Sequence, residues 1–185
     1  SSWWVNIHGH SNPYISKAIY NQSKKIEQVI FGGFTHDPAI ELARRTTNIL
    51  PGNLKKVFFS DNGSTAVEVA LKIAYQYWIN QNKKKKTFIA FKNAYHGDTV
   101  GAMSLGSGSE LFSVYKDLLF KIKLFDYPST WHGDKNLKKK EKLILNKIES
   151  ELKKNSDIAG LIIEPLIQGS GGMNICSNLF IQNLS

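Results

Sequence analysis

Cysteine is nearly absent from this sequence, and so are the segments that target or anchor a protein. The one cysteine, Cys176, excludes a disulfide framework and a cysteine-based zinc site, and it favours a reducing, cytoplasmic location. No apolar run approaches the roughly 18 residues of a membrane span. Residues 1–10 have neither the basic nor the apolar region of a signal peptide. We therefore expect no membrane association and no bound metal.

Arginine is also scarce, although the chain is strongly basic. The formal net charge is +9, yet of the 24 basic residues only Arg44 and Arg45 are arginine. Surfaces that bind nucleic acid rely on arginine, whose planar guanidinium pairs with phosphate and guanine. Asparagine is frequent as well, so we interpret the lysine excess as a compositional bias and the lysine runs at 83–86 and 138–140 as solvated surface. We expect no nucleic-acid partner.

From about Lys55 onward, short β-type apolar runs alternate with longer helical stretches. The 185 residues, 42% hydrophobic and 21% charged, are enough for one globular domain or a domain with part of another. Alternation of this kind predicts an α/β fold, with a mainly parallel sheet and helices on its faces. We expect strands at residues 55–60, 87–91, 121–125 and 158–163, and helices at residues 64–80, 97–105 and 137–154.

The first fifty residues differ, because they contain aromatic and glycine-rich turns and one well-signalled helix. Asp37 is the expected N-cap, Pro38 the first helical residue, and residues 39–50 carry the helix to a Pro-Gly stop. We assign residues 1–54 to part of a small domain with a connecting segment, and residues 55–185 to the N-terminal portion of a larger, incomplete domain. The chain lacks an initiator methionine and its last residues resemble a helix without a stop signal, so we expect a piece of a longer protein.

A strand-to-helix turn at residues 61–65, Asp-Asn-Gly-Ser-Thr, has the features of an anion site. Gly63 allows backbone N–H groups to approach an anion, Ser64 adds a hydroxyl donor, and a helix N-terminus carries about half a positive charge. The segment matches neither a Walker A sequence nor GxGxxG, which favours a small phosphate group over a nucleotide. An ordinary helix cap that binds nothing is the alternative.

The segment at residues 93–99, Asn-Ala-Tyr-His-Gly-Asp-Thr, follows the second expected strand. Loops at the carboxyl ends of parallel strands build the binding crevice of open α/β sheets. Tyr95 offers an aromatic face for a planar heterocycle, while Asp98 or Thr99 is expected to cap the next helix. The alternative is a polar turn with a buried, hydrogen-bonded His96.

Glu164 ends the fourth expected strand and precedes a flexible glycine-rich segment, residues 168–172. Its carboxylate is placed to act on a ligand, although an acid that only pairs with a neighbour is an equal alternative. Trp3 and Trp4 are adjacent. Either one packs in the core and the other lies at its edge, or one of them lines an aromatic pocket. Three successive strands thus end in candidate site residues, which predicts one site at an edge of the sheet.

Longer segments of the sequence resemble the class III (subgroup II) aminotransferases, which are fold type I pyridoxal-phosphate (PLP) enzymes. The resemblance covers essentially the whole chain and rests on residues 58–78, 93–106 and 162–173 (FFSDNGSTAVEVALKIAYQYW, NAYHGDTVGAMSLG and IIEPLIQGSGGM). Residues 1–4, 31–36 and 76–78 (SSWW, FGGFTH and QYW) are most similar to the branch that transfers an amino group from S-adenosylmethionine to 8-amino-7-oxononanoate in biotin biosynthesis.

Carried over by position, the resemblance implies roles for five residues. Gly63 and Ser64 would bind the cofactor phosphate. Tyr95 would stack on the pyridine ring of PLP and also face the substrate. Trp3 and Trp4 would line the pocket for the substrates.

The resemblance also implies that Glu164 lies near the cofactor and that Asp98 belongs to the loop of Tyr95. It further implies a homodimer, because the sites of fold type I enzymes generally form between two subunits. The family's Schiff-base lysine and the aspartate that pairs with the pyridine nitrogen lie beyond the matched stretch. We therefore expect no catalytic residue in this chain and no transamination by these 185 residues alone. The alternatives are a class III enzyme with a different amine donor, or a non-catalytic remnant or basic binding module.

Overall fold

The computed structural model describes residues 4–185, so Trp3 lies outside the described residues. The chain divides into two compact units, one ending at Phe58 and the other beginning at Phe59. Among the described residues, no helix has the length and apolar character needed to cross a membrane. The domain boundary expected between residues 54 and 55 stays a prediction, because compact units of one chain do not define the domains of a whole protein.

The first helix of the first unit, α1, spans Pro13–Ser23. It begins where the side chain of Asn12 accepts hydrogen bonds from the N–H groups of Tyr14 and Ile15, at 3.1 and 3.3 Å. The sequence analysis missed this helix. No residue of α1 is buried, so its apolar residues do not mark a core-facing side.

The second helix, α2, spans Asp37–Ile49 rather than the expected residues 38–50. Its N-cap is His36, whose ring accepts a hydrogen bond from the N–H of Ala39 at 3.3 Å. The expected cap at Asp37 is therefore wrong by one residue. His36 still has an extended backbone, with φ −147° and ψ 156°, whereas Asp37 is already helical and adds a carboxylate to the positive first turn.

The second unit alternates helices and strands, as the sequence predicts. The expected elements at residues 64–80, 87–91 and 137–154 lie within one residue of the observed bounds, whereas those at 97–105, 121–125 and 158–163 are shorter in the structure. In chain order the elements are α3 (Gly63–Asn80), β1 (Thr87–Phe91), α4 (Val100–Leu105), a 3₁₀ helix (Glu110–Leu118), β2 (Lys123–Phe125), α5 (Leu137–Lys154), β3 (Ile158–Leu161), β4 (Ile167–Gln168), β5 (Asn174–Ile175) and α6 (Asn178–Leu184).

The central sheet has three parallel strands in the order β2-β1-β3. Ile89 and Phe91 of β1 pack on one face in a cluster with residues of α5 and α6. Phe88 and Ala90 alternate with them and pack on the other face, in a cluster that includes Trp78 of α3. Strand β1 is thus buried on both sides, as in parallel sheets covered by helices. This three-layer arrangement confirms the α/β fold class.

Residues 55–60 do not form the strand that the sequence predicts. Both edges of β1 are occupied by β2 and β3, and this segment pairs with neither of those outer strands. Phe58 stays 69% exposed. A strand needs a neighbour for its backbone N–H and C=O groups, and an apolar β-type run does not by itself supply one.

A short antiparallel hairpin, β4 with β5, contains the glycine-rich segment that follows β3. Its strands are only two residues long, which is why the sequence pattern did not reveal them. The hairpin gives residues 168–172 a defined turn in place of the expected flexible segment. It also fixes the backbone of Gly169 close to Glu164.

Candidate functional site

Three segments that the sequence singles out come together at the carboxyl end of the sheet. They are the start of α3, the loop that follows β1, and the segment that follows β3. Because β1 and β3 are parallel and adjacent, the loops after them leave the same edge of the sheet. All three segments belong to the second unit.

The start of α3 leaves two backbone N–H groups available. The side chain of Asn62 is the N-cap and accepts a hydrogen bond from Thr65 N–H at 3.0 Å, and the Thr65 hydroxyl accepts from Asn62 N–H at 3.1 Å. Within the described part of the chain, the N–H groups of Gly63 and Ser64 donate to no partner. A Cβ atom built on Gly63 would meet nothing within 4 Å. This open, positively polarised helix end has the chemistry of an anion site.

The loop after β1 packs directly on this helix end. Asp98 donates its backbone N–H to the hydroxyl oxygen of Ser64 at 3.2 Å. Gly97 has φ +123°, and a Cβ built on it would lie 2.1 Å from Ser64 Oγ and 2.9 Å from Ser64 Cα. Only glycine meets both the backbone and the space requirement here. Ser64 therefore contacts the loop of Tyr95 and is not the cap of α3, so the plain helix-cap interpretation of Ser64 is wrong.

Tyr95 is held at the end of its side chain and along its ring. Its hydroxyl donates a 2.6 Å hydrogen bond to the carboxylate of Asp98. The ring lies against Phe112, with 6.2 Å between centroids and 18° between planes. The hydrogen bond to Asp98, followed by burial and the negative charge of Asp98, raises the pKa of Tyr95, so the phenol stays protonated at neutral pH.

Glu164 joins two loops through both oxygens of its carboxylate. Oε1 accepts a hydrogen bond from Tyr95 N–H at 2.9 Å, and Oε2 accepts one from Gly169 N–H at 2.9 Å. The contacts run without a break from Ser64 to Asp98, Tyr95, Glu164 and Gly169. Candidate residues from three separate stretches of sequence thus form one hydrogen-bonded network.

His96 and Thr99 each contribute a buried polar atom with no hydrogen-bond partner within the described residues, His96 Nε2 and Thr99 Oγ1. Burial lowers the pKa of His96 to about 4, so its ring is neutral at pH 7. The expected burial of His96 is observed, whereas the expected hydrogen bond of its ring is not found. Thr99 is the N-cap residue of α4, which confirms one of the two expected positions, although no side chain makes a capping hydrogen bond from there.

Three functional neighbours were missed by the sequence analysis. Glu68 Oε1 accepts from Gly101 N–H at 2.7 Å and so takes the capping place at the start of α4. Its spacing of four residues from Ser64 puts both on one side of α3, which is a usable signal. Gln168 is buried and donates Nε2–H to the carbonyl of Lys92 at 2.9 Å. Phe112 has no comparable signal, because its role depends on a 3₁₀ helix in a polar stretch.

Two other features singled out by the sequence are the tryptophan pair and the lysine runs. Trp4 belongs to the first unit and is 54% exposed, so the proposed pocket role of the Trp3–Trp4 pair stays a prediction. Of the lysine run at 83–86, Lys85 places its ammonium 3.9 Å from the centroid of the Trp78 ring. No group of three or more metal-ligating side chains occurs among residues 4–185.

Comparisons with known proteins identify the family of this chain. The family model of class III aminotransferases matches residues 1–185. Over the whole chain, the sequence is 49% identical to the adenosylmethionine-8-amino-7-oxononanoate aminotransferase of Synechococcus elongatus, covering 43% of that protein. It is 41% identical to the enzyme of that name from Staphylococcus aureus, covering 42% of it. The chain therefore spans about two fifths of the length of the curated relatives it matches.

Solved structures give the same answer for the fold. The adenosylmethionine-8-amino-7-oxononanoate aminotransferase of Methanocaldococcus jannaschii aligns with a TM-score of 0.82 and 37% identity, over 95% of this chain and 38% of that one. A PLP-bound amine transaminase from an uncultivated Pseudomonas species aligns with a TM-score of 0.83 and 28% identity, over 95% and 41% of the two chains. These alignments confirm the fold type I architecture and the family resemblance.

Proposed function

This chain belongs to the class III aminotransferase family, and we propose that it is part of an enzyme that transfers the amino group of S-adenosylmethionine to 8-amino-7-oxononanoate in biotin biosynthesis. The product would be 7,8-diaminononanoate. The observation that carries the choice of substrates is the 49% identity, over all 185 residues, to a relative whose name states both. We place the complete enzyme in the cytoplasm.

Class III aminotransferases depend on PLP, and the start of α3 fits the phosphate of this cofactor. Two N–H groups, at Gly63 and Ser64, lack partners within the described residues, and the space beside Gly63 is open. We propose that these groups and the Ser64 hydroxyl hold the phosphate, and that Tyr95 stacks on the ring and faces the substrate. Bound PLP supplies an electron-withdrawing ring that stabilises negative charge on the carbon next to the reacting nitrogen.

The part played by the described residues is to hold and orient, not to transfer protons. The phenol of Tyr95 is kept protonated by its contact with Asp98, and this contact fixes the tilt of the ring. Lys92, the lysine nearest in sequence to this loop, pairs with Asp126 at 2.7 Å. We propose that the lysine which reacts with PLP and the aspartate which pairs with the pyridine nitrogen belong to other parts of the enzyme, and that these 185 residues alone are inactive.

Fold type I sites form between two subunits, so we propose a homodimer for the complete enzyme. Trp3, Trp4 and residues 31–34 would then lie near the subunit interface, and the tryptophans would line the substrate pocket. Analytical ultracentrifugation of the full-length protein tests this assembly. A fully active monomer would refute it.

A second candidate is a class III enzyme with another amine donor, such as an ω-amino acid. It is favoured by the PLP-bound amine transaminase, which aligns as well as the Methanocaldococcus enzyme, with TM-scores of 0.83 and 0.82. The fold therefore does not select the donor. Assays of the full-length enzyme with S-adenosylmethionine and with an ω-amino acid decide between the two, and a full-length protein that binds no PLP would instead be a non-catalytic remnant or binding module.

The anion site is tested by Ser64→Ala in the full-length enzyme. The change removes one hydroxyl donor but leaves the N–H groups and the helix dipole, so the loss should be about 1.5–3 kcal/mol, the range for a hydrogen bond to a charged group. Cofactor titration by absorbance should show PLP binding weakened roughly tenfold to over a hundredfold. Gly63→Val should be worse, because a branched side chain would crowd the phosphate.

Ser177→Ala is the matched control, because its hydroxyl accepts from Phe180 N–H at the start of α6, on the face of the sheet opposite to α3. Tyr95→Ala should instead alter the absorbance of bound cofactor and impair turnover. If Ser64→Ala keeps its fold and binds PLP as tightly as wild type, the phosphate site is wrongly placed.

A further inference from the structure

We propose that Glu164 is a positioning residue, which sets the place of the Tyr95 ring by clamping the backbone at both loops of the site. The contacts of Glu164 are formed between residues of this chain and do not depend on the proposed function. Only the expected effect on PLP binding rests on the proposed function. Nothing in the family names or in the motif assigns this role.

Both oxygens of the Glu164 carboxylate are engaged. One accepts from Tyr95 N–H and the other from Gly169 N–H, each at 2.9 Å. A carboxylate is suited to this because it is acceptor-only and has two oxygens, whereas the amide of glutamine has one acceptor and presents donors at the other end. Glutamine at residue 164 would therefore put an NH₂ group against an N–H donor in one of the two loops.

A second contact ties the same two loops together. Gln168, which is only 1% exposed, donates its Nε2–H to the carbonyl of Lys92 at 2.9 Å. The hairpin that carries Gly169 is therefore fixed to the loop after β1 at two points, three residues apart in that loop. Glu164 provides the point that lies on Tyr95 itself.

Tyr95 is consequently held at both ends. Its N–H is fixed by Glu164, and its hydroxyl is fixed by Asp98 at 2.6 Å. Phe112 supports the ring between these two points. Loss of the backbone contact would leave the ring held only by Asp98 and Phe112, so its position would be less well fixed.

A purely structural role predicts something different, and Glu68 supplies the comparison. Its Oε1 also accepts from two backbone N–H groups, those of Gly101 and Ala102, at 2.7 and 3.3 Å. It therefore caps α4 with the same chemistry but does not touch Tyr95. Glu68→Gln removes the same negative charge as Glu164→Gln but keeps the one oxygen that both N–H groups use, and only Glu164→Gln should affect the ring of Tyr95.

The first measurement is hydrogen–deuterium exchange of the full-length enzyme without cofactor. In Glu164→Gln, peptides that contain the Tyr95 and Gly169 amides should exchange at least about tenfold faster, because each loses a charged acceptor. In Glu68→Gln, any acceleration should be confined to the amides of Gly101 and Ala102, whose acceptor loses its charge but not its oxygen. Unchanged exchange at Tyr95 in Glu164→Gln would overturn the clamp.

The second measurement is cofactor affinity by absorbance titration, in a double-mutant cycle with Tyr95→Ala. Glu164→Gln should weaken PLP binding several-fold in the wild-type background and have no further effect when Tyr95 is alanine, because it acts through that residue. An equal effect in both backgrounds, or an equal effect from Glu68→Gln, would show a structural role only and overturn the proposal.

Two further results are informative. If Glu164→Gln does not fold, Glu164→Asp keeps the charge but is one methylene shorter, and it should accelerate exchange at one of the two amides. If wild-type enzyme binds no PLP, the proposed function fails, whereas the exchange measurement still decides whether Glu164 holds Tyr95.

Discussion

The two compact units of this chain differ in the range of the contacts found within each of them. The side-chain hydrogen bonds found among residues 4–58 join positions at most four apart, such as Asn12 to Tyr14 and Arg45 to Glu41. In the second unit several side-chain hydrogen bonds join residues that are far apart in the sequence. The indole N–H of Trp78 donates to the carbonyl of residue 159 at 2.7 Å, a separation of 81 positions.

Burial follows the same division. Ala39 is the one buried apolar residue found among residues 4–58, where Tyr14 is 84% exposed and Ile49 is 83% exposed. The helices α1 and α2 have 11 and 13 residues, lengths at which an isolated helix is marginal in water. The comparison teaches that the first unit depends on local structure, whereas the candidate site lies where distant parts of the chain are fixed to one another.

Among the changes that test this comparison, Gly97→Ala is expected to have the largest effect on the free energy of unfolding. A Cβ there would lie 2.1 Å from Ser64 Oγ and 2.9 Å from backbone, at a φ of +123°. Overpacking and backbone strain together should lower the free energy of unfolding by about 2–5 kcal/mol. Urea unfolding followed by tryptophan fluorescence measures the loss.

Gly133→Ala is the control for Gly97→Ala. Gly133 also has a positive φ, +85°, but a Cβ there would meet nothing within 4 Å. It should therefore show the strain alone, about 1 kcal/mol. Equal losses in the two variants would mean that the approach of Gly97 to Ser64 has no energetic importance.

Protonation of His96 at acid pH is expected to have an intermediate effect on the free energy of unfolding. Burial holds its pKa at about 4 in the folded chain, below the roughly 6.5 of an unfolded histidine. Between these values the unfolded state binds more protons, so stability should fall as the pH drops from about 6.5 to 4, by at most about 3 kcal/mol.

Urea unfolding at pH 7 and at pH 4.5, in wild type and in His96→Gln, isolates this contribution. The variant should lose less stability on acidification than wild type. His132→Gln removes an exposed histidine and should behave as wild type. A pH dependence that is the same in wild type and His96→Gln would show that the His96 ring does not resist protonation in the folded state.

The smallest effect is expected in the first unit, from Glu41→Gln. Hydrogen bonds from Arg44 and Arg45 lower the pKa of Glu41 to about 2. The pairing therefore stabilises the folded chain at neutral pH. This contribution is lost as the pH falls from about 4.3, the ordinary pKa of a glutamate, toward 2. Because the pair lies at the surface, where the Glu41 side chain is 42% exposed, helix content measured by circular dichroism should change only slightly, and less at high salt.

Glu149→Gln in α5 is the matched change in the second unit, since Glu149 pairs with Lys153 four residues away on an exposed surface. It should be as small as Glu41→Gln. A large effect of either exposed pair would contradict the conclusion that range of contact, rather than charge, separates the two units.

Elements with a strong local signal were predictable from the sequence. Residues 137–154 carry apolar residues at helical spacing, and Ile144 and Ile148 are indeed buried on one side of α5. Thr87–Phe91 is rich in β-type apolar residues and forms β1. Residues 55–60 have the same local character, but their strand fails because pairing is a property of the whole sheet.

The candidate site was predictable in its members but not in its connections. Ser64, Tyr95, Asp98 and Glu164 were identified from residue type and place along the chain. Their contacts depend on the pairing of β1 with β3 and on the left-handed backbone of Gly97, neither of which a local pattern contains. For this reason the sequence left open whether Ser64 was only a cap.

The hydroxyl of Ser64 links the backbone of the Tyr95 loop to the proposed anion site. Its oxygen accepts from Asp98 N–H, which leaves the hydroxyl hydrogen free to point away from that donor. A hydrogen bond accepted by a hydroxyl polarises it and strengthens the bond it donates in turn, typically by about 10–30%. The dipole of one peptide group in the Tyr95 loop therefore adds to the attraction of an anion at the start of α3. Threonine at residue 64 would keep this polarisation, whereas alanine would abolish it.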